Sequence, residues 1–284
     1  MTDLVTPSLA KHRKYHVFSF MIIIVFIFIS FSETFLSMFH IWYTSEAFQH
    51  GMLIMPISLY VIWLKRHKIK LVSFNVNYYG FVAVILLCLL WLLGDIAGVQ
   101  LVKHFVVMSL FSAVVLTCFG FSMFKTLLFP LGYLLLAIPF RGPFVYPLQQ
   151  ITADMVYFGL QLTGIPVFRE GQLVHIPAGT FEVAEACSGV NFLIAMVTLS
   201  ILFSYLTYSS YKKRFIFLML SIIVPVIANG LRAYFIVLAG HFISMEVAGG
   251  ADHIIFGWQF FGVIMLLMFW IGHKYADNQE SVRS

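Results

Sequence analysis

Val183–Leu193 is VAEACSGVNFL, and it joins a polar segment to an apolar run that continues to about residue 207. An apolar run of this length approaches the roughly 20 residues that a helix needs to cross a bilayer. Cys187 therefore lies at the start of a predicted membrane helix. Arg232 and His253 lie near the ends of the next two apolar runs. These positions predict a membrane protein with reactive or ionisable side chains at the ends of its helices.

The composition places the whole chain in a membrane. Of its 284 residues, 61% are hydrophobic and only 10% are charged, against roughly a quarter charged in soluble domains. We predict an all-α polytopic membrane protein of about eight spans, near residues 17–38, 51–64, 79–93, 104–122, 126–140, 189–207, 215–239 and 254–273. We expect one integral membrane domain over 1–284, with a core at about 17–273 and short cytoplasmic tails at 1–16 and 274–284.

The segment Pro147–Thr163 differs from these runs. Its apolar residues form one helical stripe, Leu148, Ile151, Met155, Phe158 and Leu162, and polar residues face the other way. Such an amphipathic helix suits a membrane interface better than a span. The following Gly164–Gly189 has short alternating pieces bounded by Gly and Pro, which predict a β-hairpin-like outer loop before the Cys motif.

The basic residues predict the orientation. The net charge is +5, but the positive residues cluster beside apolar runs, as in membrane proteins that fix their topology by charge. Nucleic-acid binding is therefore not expected. With eight spans and an interfacial 147–163, the clusters at Lys65–Lys70, Lys212–Arg214 and Lys274 are cytoplasmic, and both termini are inside. The basic residues that this topology does not place on the cytoplasmic side are Lys103, Arg141, Arg169 and Arg232.

Under this topology Cys187, Arg232 and His253 all reach the non-cytoplasmic face. Cys187 would act as a nucleophile, because a helix N-terminus favours the thiolate. Ser188 and Gly189 would let a peptide approach and leave backbone N–H groups for an oxyanion. The alternative is that Cys187 is a small packing residue in a membrane helix.

Arg232 lies within an apolar helix, where an ionised side chain indicates function. It could stabilise an oxyanion or bind a substrate carboxylate, with Asn229 one turn earlier on the same face. The alternative for Arg232 is a position at the outer interface or a structural ion pair.

His253 would serve as general base and then protonate the leaving amine. The alternative is a solvated interfacial histidine. Glu182 and Glu185 are candidate partners of His253 or Arg232, although Glu182 fits a solvated loop acid better. His50 is a minor candidate for the site lining. The sequence has no zinc-protease motif, no nucleophile elbow and no P-loop, so no metal or cofactor is expected.

The chain resembles the exosortase/archaeosortase family in EACSG (Glu185–Gly189), in NGLR (Asn229–Arg232), in His253 followed by Gly257-Trp258, and in the early HGMLIMPISLYVIWLKR segment (His50–Arg66). The resemblance extends from about His50 to Trp258. It implies Cys187 as nucleophile, Arg232 as stabiliser and His253 as third member. Archaeal relatives often have Arg at that third position, so His253 indicates the bacterial branch.

The resemblance also implies the substrate and the compartment. The family processes exported proteins with a tripartite C-terminal tail of the PEP-CTERM type: a short motif, an apolar helix and a basic end. The implied enzyme is a multi-pass protein of the bacterial cytoplasmic (inner) membrane whose site faces the periplasm. It would cut near the motif, by hydrolysis or with transfer of the product to a glycan or lipid acceptor. The alternative function is a polytopic transporter or membrane scaffold in which Arg232 binds an anionic solute.

Overall fold

The computed structural model describes the backbone of residues 5–243 and 252–277, and the side chains of residues 13–243 and 257–277. The first group of helices is α1 (Val5–Ser30), α2 (Ser32–Thr44), α3 (Gly51–Leu64), α4 (Arg66–Leu71), α5 (Tyr78–Ile96), α6 (Gln100–Thr126) and α7 (Leu128–Leu134). The later elements are α8 (Gly142–Leu162), β1 (Phe168–Glu170), β2 (Leu173–Ile176), β3 (Gly179–Glu182), α9 (Val190–Thr207), α10 (Tyr211–Phe242) and α11 (Asp252–Lys274). Short 3₁₀ turns occupy Leu135–Ala137 and Glu185–Cys187.

Within the described ranges, five helices are long and apolar enough to cross a membrane: Arg13–Ser30, Tyr78–Ile96, Gln100–Thr126, Glu185–Thr207 and Tyr211–Phe242. The pair Leu128–Ala137 and Gly142–Leu162, bent by 73°, is a sixth if it counts as one broken span. The helical polytopic class is confirmed, but the predicted number of eight spans is not. One predicted span, α3, has only 14 residues. The predicted helix at 126–140 ends early, before a segment that contains Pro139.

The helix predicted at 147–163 is present as the longer α8, and most of its apolar stripe is exposed rather than buried in the protein. Ile151, Phe158 and Leu162 are exposed, and Leu162 is 90% exposed. The buried residues of α8 are Leu148, Gln149, Thr152, Ala153, Val156 and Leu160. An exposed apolar stripe is stable in lipid, because lipid tails are as apolar as a protein core. The polar side chains Gln149 and Thr152 are thus available for hydrogen bonds inside the protein.

The chain forms two compact units, residues 1–140 and 141–284. In the first unit α5 and α6 lie close together, and a Cβ at Gly80 would be 2.5 Å from the backbone nitrogen of Thr117. The buried core of this unit lies along α6 and includes Met108, Leu110 and Val114. Trp42 of α2 donates a hydrogen bond of 2.8 Å to the carbonyl of Ala137.

The described residues of the second unit form a small sheet and the four helices α8 to α11. Where the sequence predicted a hairpin-like loop, the strands form a three-stranded antiparallel sheet in the order β1-β2-β3. One apolar cluster joins α8, the sheet and α10 through Val156, Leu160, Ile165, Val174, Ile176 and Val237. A second cluster joins α9, α10 and α11 through Met196, Tyr208, Phe217 and Met268. Both clusters include residues of α10, so the sheet and α9 each pack against this helix.

Candidate active site

Cys187 ends a tight turn between β3 and α9. Its N–H donates to the carbonyl of Ala184 at 2.9 Å, and both the N–H and the hydroxyl of Ser188 donate to the carbonyl of Glu185. The chain then enters α9 through Gly189, which has a φ of +74°. Only glycine adopts this left-handed conformation without strain. The Cys-Ser-Gly sequence therefore makes the turn that leaves the Cys187 side chain half-buried.

Asn229 of α10 forms a hydrogen bond to the backbone of this turn. Its amide nitrogen donates to the carbonyl of Cys187 at 2.8 Å and to the hydroxyl of Thr152 at 3.0 Å. Asn229 is 2% exposed and Thr152 is 3% exposed. A Cβ added to Gly189 would lie 2.6 Å from Cγ of Asn229. The predicted supporting residues Ser188, Gly189 and Asn229 thus belong to one packed group around Cys187.

Arg232 lies one turn after Asn229 on α10 and is only 6% exposed. Arg232 and Cys187 line one small cavity of about 50 Å³, together with residues of β3 and the segment after it. A cavity of this size holds one or two water molecules. The structure therefore brings together the predicted nucleophile and the predicted stabilising cation.

The start of α11 packs on the guanidinium of Arg232. A Cβ at Gly257 would lie 2.8 Å from Nη2 and 3.0 Å from Cζ of Arg232. The backbone of α11 therefore lies so close to the guanidinium of Arg232 that a side chain at position 257 would collide with it. His253 precedes Gly257 by four residues, just over one turn. The side chain of His253 lies outside the described residues, so its place in the site stays a prediction.

Glu185 forms an ion pair with Arg141, with 2.6 Å between its carboxylate and the guanidinium. The sequence predicted Arg232 or His253 as its partner. Arg141 immediately precedes α8 and was not expected in the site. One signal in the sequence did single it out, since it is one of the few basic residues outside the predicted cytoplasmic clusters. The other candidate acid, Glu182, lines the cavity with Cys187 and Arg232.

Gln149 of α8 was also missed. Its side-chain amide donates to the carbonyl of Val183 at 2.9 Å and accepts from the side chain of Gln172 at 3.1 Å. Gln149 is 8% exposed. The segment that leads into Cys187 is therefore fixed to α8 at Val183, to Arg141 at Glu185, and to α10 at Cys187.

His50 belongs to the first unit, immediately before α3. Burial lowers the pKa of His50 from its ordinary value of 6.5, whereas hydrogen bonds with the backbone of Leu136 and Ala47 favour the charged form. Its proposed role in the site lining stays a prediction. In the described part of the chain, no three His, Cys, Asp or Glu side chains are grouped so that they could hold a metal ion.

Comparison with protein families now gives the class. The family model described as Transmembrane exosortase (Exosortase_EpsH) matches residues 42–270. Because this match covers most of the chain, the protein belongs to the transmembrane exosortase family. No curated protein and no solved structure gives a significant match. The family consists of membrane-embedded proteins that are generally cysteine peptidases or transpeptidases and act on exported proteins with sorting signals.

Proposed function

We propose that this protein is a thiol peptidase or transpeptidase that removes the C-terminal sorting tail of exported proteins near the outer surface of the inner membrane. The observation that carries the proposal is the cavity shared by Cys187 and Arg232. A thiol beside a buried cation is the arrangement that makes a cysteine nucleophilic. The hydrogen bond from Asn229 to the Cys187 carbonyl supports it, because it fixes the backbone of the nucleophile.

The reaction has two half-reactions. In the first, the Cys187 thiolate attacks the carbonyl carbon of the scissile peptide bond, and Arg232 stabilises the negative charge that develops on the carbonyl oxygen. His253 accepts the thiol proton and returns it to the departing amine. The peptide C–N bond breaks, so the tail leaves with a free amine and the protein remains as a thioester on Cys187.

The second half-reaction regenerates the thiol. Attack by water on the thioester gives hydrolysis, with a free carboxylate on the sorted protein. Attack by a hydroxyl or amine of a glycan or lipid acceptor gives transfer, in the manner of a sortase. Both outcomes use the same proton relay in the reverse direction.

The proposed orientation places this chemistry outside the cytoplasm. A single crossing by the bent pair α7 and α8 leaves Lys125 and the sheet on opposite sides of the membrane. The clusters Lys65–Lys70 and Lys212–Arg214 are then both cytoplasmic, as the positive-inside bias requires. An impermeant thiol reagent added to intact cells should label Gln172→Cys but not Ser209→Cys. The reverse pattern would overturn the orientation.

Replacement of the thiol tests the chemistry itself. Cys187→Ser should retain the fold but lose processing of a tailed substrate, because a hydroxyl is far less ionised than a thiol. Cys88→Ser, in α5 of the other unit, is the matched control and should process normally. The assay follows the size of a tailed protein in membranes free of wild-type enzyme. Full cleavage by Cys187→Ser would remove Cys187 from the mechanism.

The same variants distinguish the proposed peptidase from the alternative function. In a transporter or scaffold that uses Arg232 to bind an anionic solute, Cys187→Ser would be silent and only Arg232 variants would lose activity. In a peptidase, a peptide-like electrophile should label Cys187, and the label should decrease when Arg232 is replaced.

A further inference from the structure

Among the residues that the structure describes, β3 is an edge strand, and the chain leads from it directly to Cys187. The strand pairs with β2 on one side and ends the sheet order on the other. Four residues separate Glu182, its last residue, from Cys187. A strand at a sheet edge presents backbone N–H and C=O groups that can pair with an added strand.

The register shows which backbone groups lie at this edge. The N–H of Val183 donates to the carbonyl of Gln172, so this pair is a hydrogen-bonded pair of the antiparallel ladder. Such pairs alternate with pairs that have no hydrogen bonds, and Thr180 and Glu182 fall in the latter. Their backbone groups therefore point away from β2. The carbonyl of Glu182 accepts from Ala184, which leaves the N–H and C=O of Thr180 and the N–H of Glu182 at the edge.

The edge is continuous with the candidate active site. Phe181, Glu182 and Val183 line the cavity that contains Cys187 and Arg232. Thr180 and Glu182 are exposed. An extended peptide along this edge would thus have its backbone beside the thiol at one end.

We propose that β3 is the substrate-recognition strand, and that the extended segment before the scissile bond adds to its edge as a fourth strand. The proposal rests on the proposed function and specifies how its substrate is held. β3 runs toward Cys187, and the segment before the scissile bond must also run toward Cys187, so the two are parallel. One substrate residue then donates its N–H to the carbonyl of Thr180 and accepts at its C=O from the N–H of Glu182, and the substrate residue two positions earlier accepts at its C=O from the N–H of Thr180. Recognition through the backbone tolerates varied side chains.

Backbone N-methylation of the substrate tests this arrangement. The full chain is purified in lipid nanodiscs with a synthetic peptide that spans a cleavage site mapped in the processing assay. Each residue before the scissile bond is N-methylated in turn. We expect kcat/KM to fall about tenfold at one position, the order of one lost hydrogen bond, and less than about threefold at its two neighbours. The neighbours are the internal control, since their N–H groups point away from β3.

Variants of Thr180 supply a second measurement. Thr180→Pro removes the N–H at the open edge, where proline is tolerated because β2 does not use that group. Thr180→Val also removes the hydroxyl, which bonds to Nδ1 of His175 at 2.9 Å, but it keeps the N–H. We expect kcat/KM of Thr180→Pro to be about tenfold below that of Thr180→Val.

The outcomes separate the two proposals. The unmodified peptide could be cleaved while N-methylation lowers kcat/KM equally at neighbouring positions, or at no position. Either result would overturn the β3 proposal and leave the proposed peptidase activity intact. Failure of the wild-type protein to cleave both the peptide and a tailed protein would overturn the proposed function, and the β3 proposal with it. Alternating sensitivity supports both.

Discussion

A methyl group added at Gly189 probes the most crowded contact of the candidate site. Gly189→Ala requires alanine to adopt a φ of +74°, which costs about 1 kcal/mol. The new Cβ would lie 2.6 Å from Cγ of Asn229, so Asn229 must move. That movement breaks its hydrogen bonds to Cys187 and Thr152, each worth about 1 kcal/mol. We expect a total loss of about 3 kcal/mol.

Thermal unfolding of the full chain in detergent measures this loss. At about 2 °C per kcal/mol for a chain of this size, the midpoint should fall by about 6 °C. The rate of alkylation of Cys187 should change as well, because its carbonyl loses the anchor from Asn229. Gly262→Ala in α11 is the matched control: no described atom lies within 4 Å of its Cβ position, and alanine favours a helix. A midpoint and an alkylation rate equal to wild type in Gly189→Ala would refute the reasoning.

Three further substitutions test the surroundings of Cys187 and the far end of the second unit. Arg232→Lys should reduce cleavage by about 100-fold or more, because an ammonium lacks the planar fork of a guanidinium; near-normal rates would assign Arg232 a purely structural role. Arg141→Ala should change the free energy of unfolding by less than about 1 kcal/mol, since the ion pair with Glu185 is half-exposed. It should nevertheless lower kcat/KM several-fold. The double variant Arg141→Glu with Glu185→Arg, which exchanges the two charges, should recover part of the rate. Hydrogen bonds from Lys213 and the backbone of Ser209 lower the pKa of Asp277, so its stabilisation is present above the ordinary aspartate pKa and disappears as the pH falls through the lowered value. The thermal midpoint of Asp277→Asn should therefore lie below that of wild type at neutral pH and converge with it on acidification, and a constant difference would exclude this ion pair as the cause.

The sequence located helices well where an uninterrupted apolar run had the length of a span. The run predicted at 79–93 is α5 at Tyr78–Ile96, and the run at 189–207 is α9 at Val190–Thr207. It failed at 126–140, where residues that break helices decide the geometry. The apolar stripe of α8 did not indicate which of its faces packs inside the protein. In a membrane protein an apolar stripe can face either lipid or the core, so periodicity finds the helix but does not choose its inner side.

The contacts that hold Cys187 were only partly predictable. The Cys, Ser and Gly residues are consecutive, and Asn229 shares a helical face with Arg232, so local patterns indicated them. Thr152 is 77 residues from Asn229, and Gln149 is 34 residues from Val183. Such hydrogen bonds depend on how distant elements pack, and no local spacing records them. The sequence therefore did not indicate that Thr152 and Gln149, two ordinary polar residues of α8, support the candidate site.

A single helix sets the position of both Arg232 and Asn229, the anchor of the proposed nucleophile. Asn229 and Arg232 are three residues apart on α10, so one helical face presents the amide to the Cys187 carbonyl and the guanidinium to the cavity. A rotation of α10 would displace both groups together, and neither could compensate for the other. Two glycines allow this close arrangement: Gly189 admits Asn229 beside the turn, and Gly257 admits α11 against Arg232. The packing of α9 and α11 on α10 therefore fixes the geometry of the candidate site, and the polar loop serves to bring Cys187 to that helix.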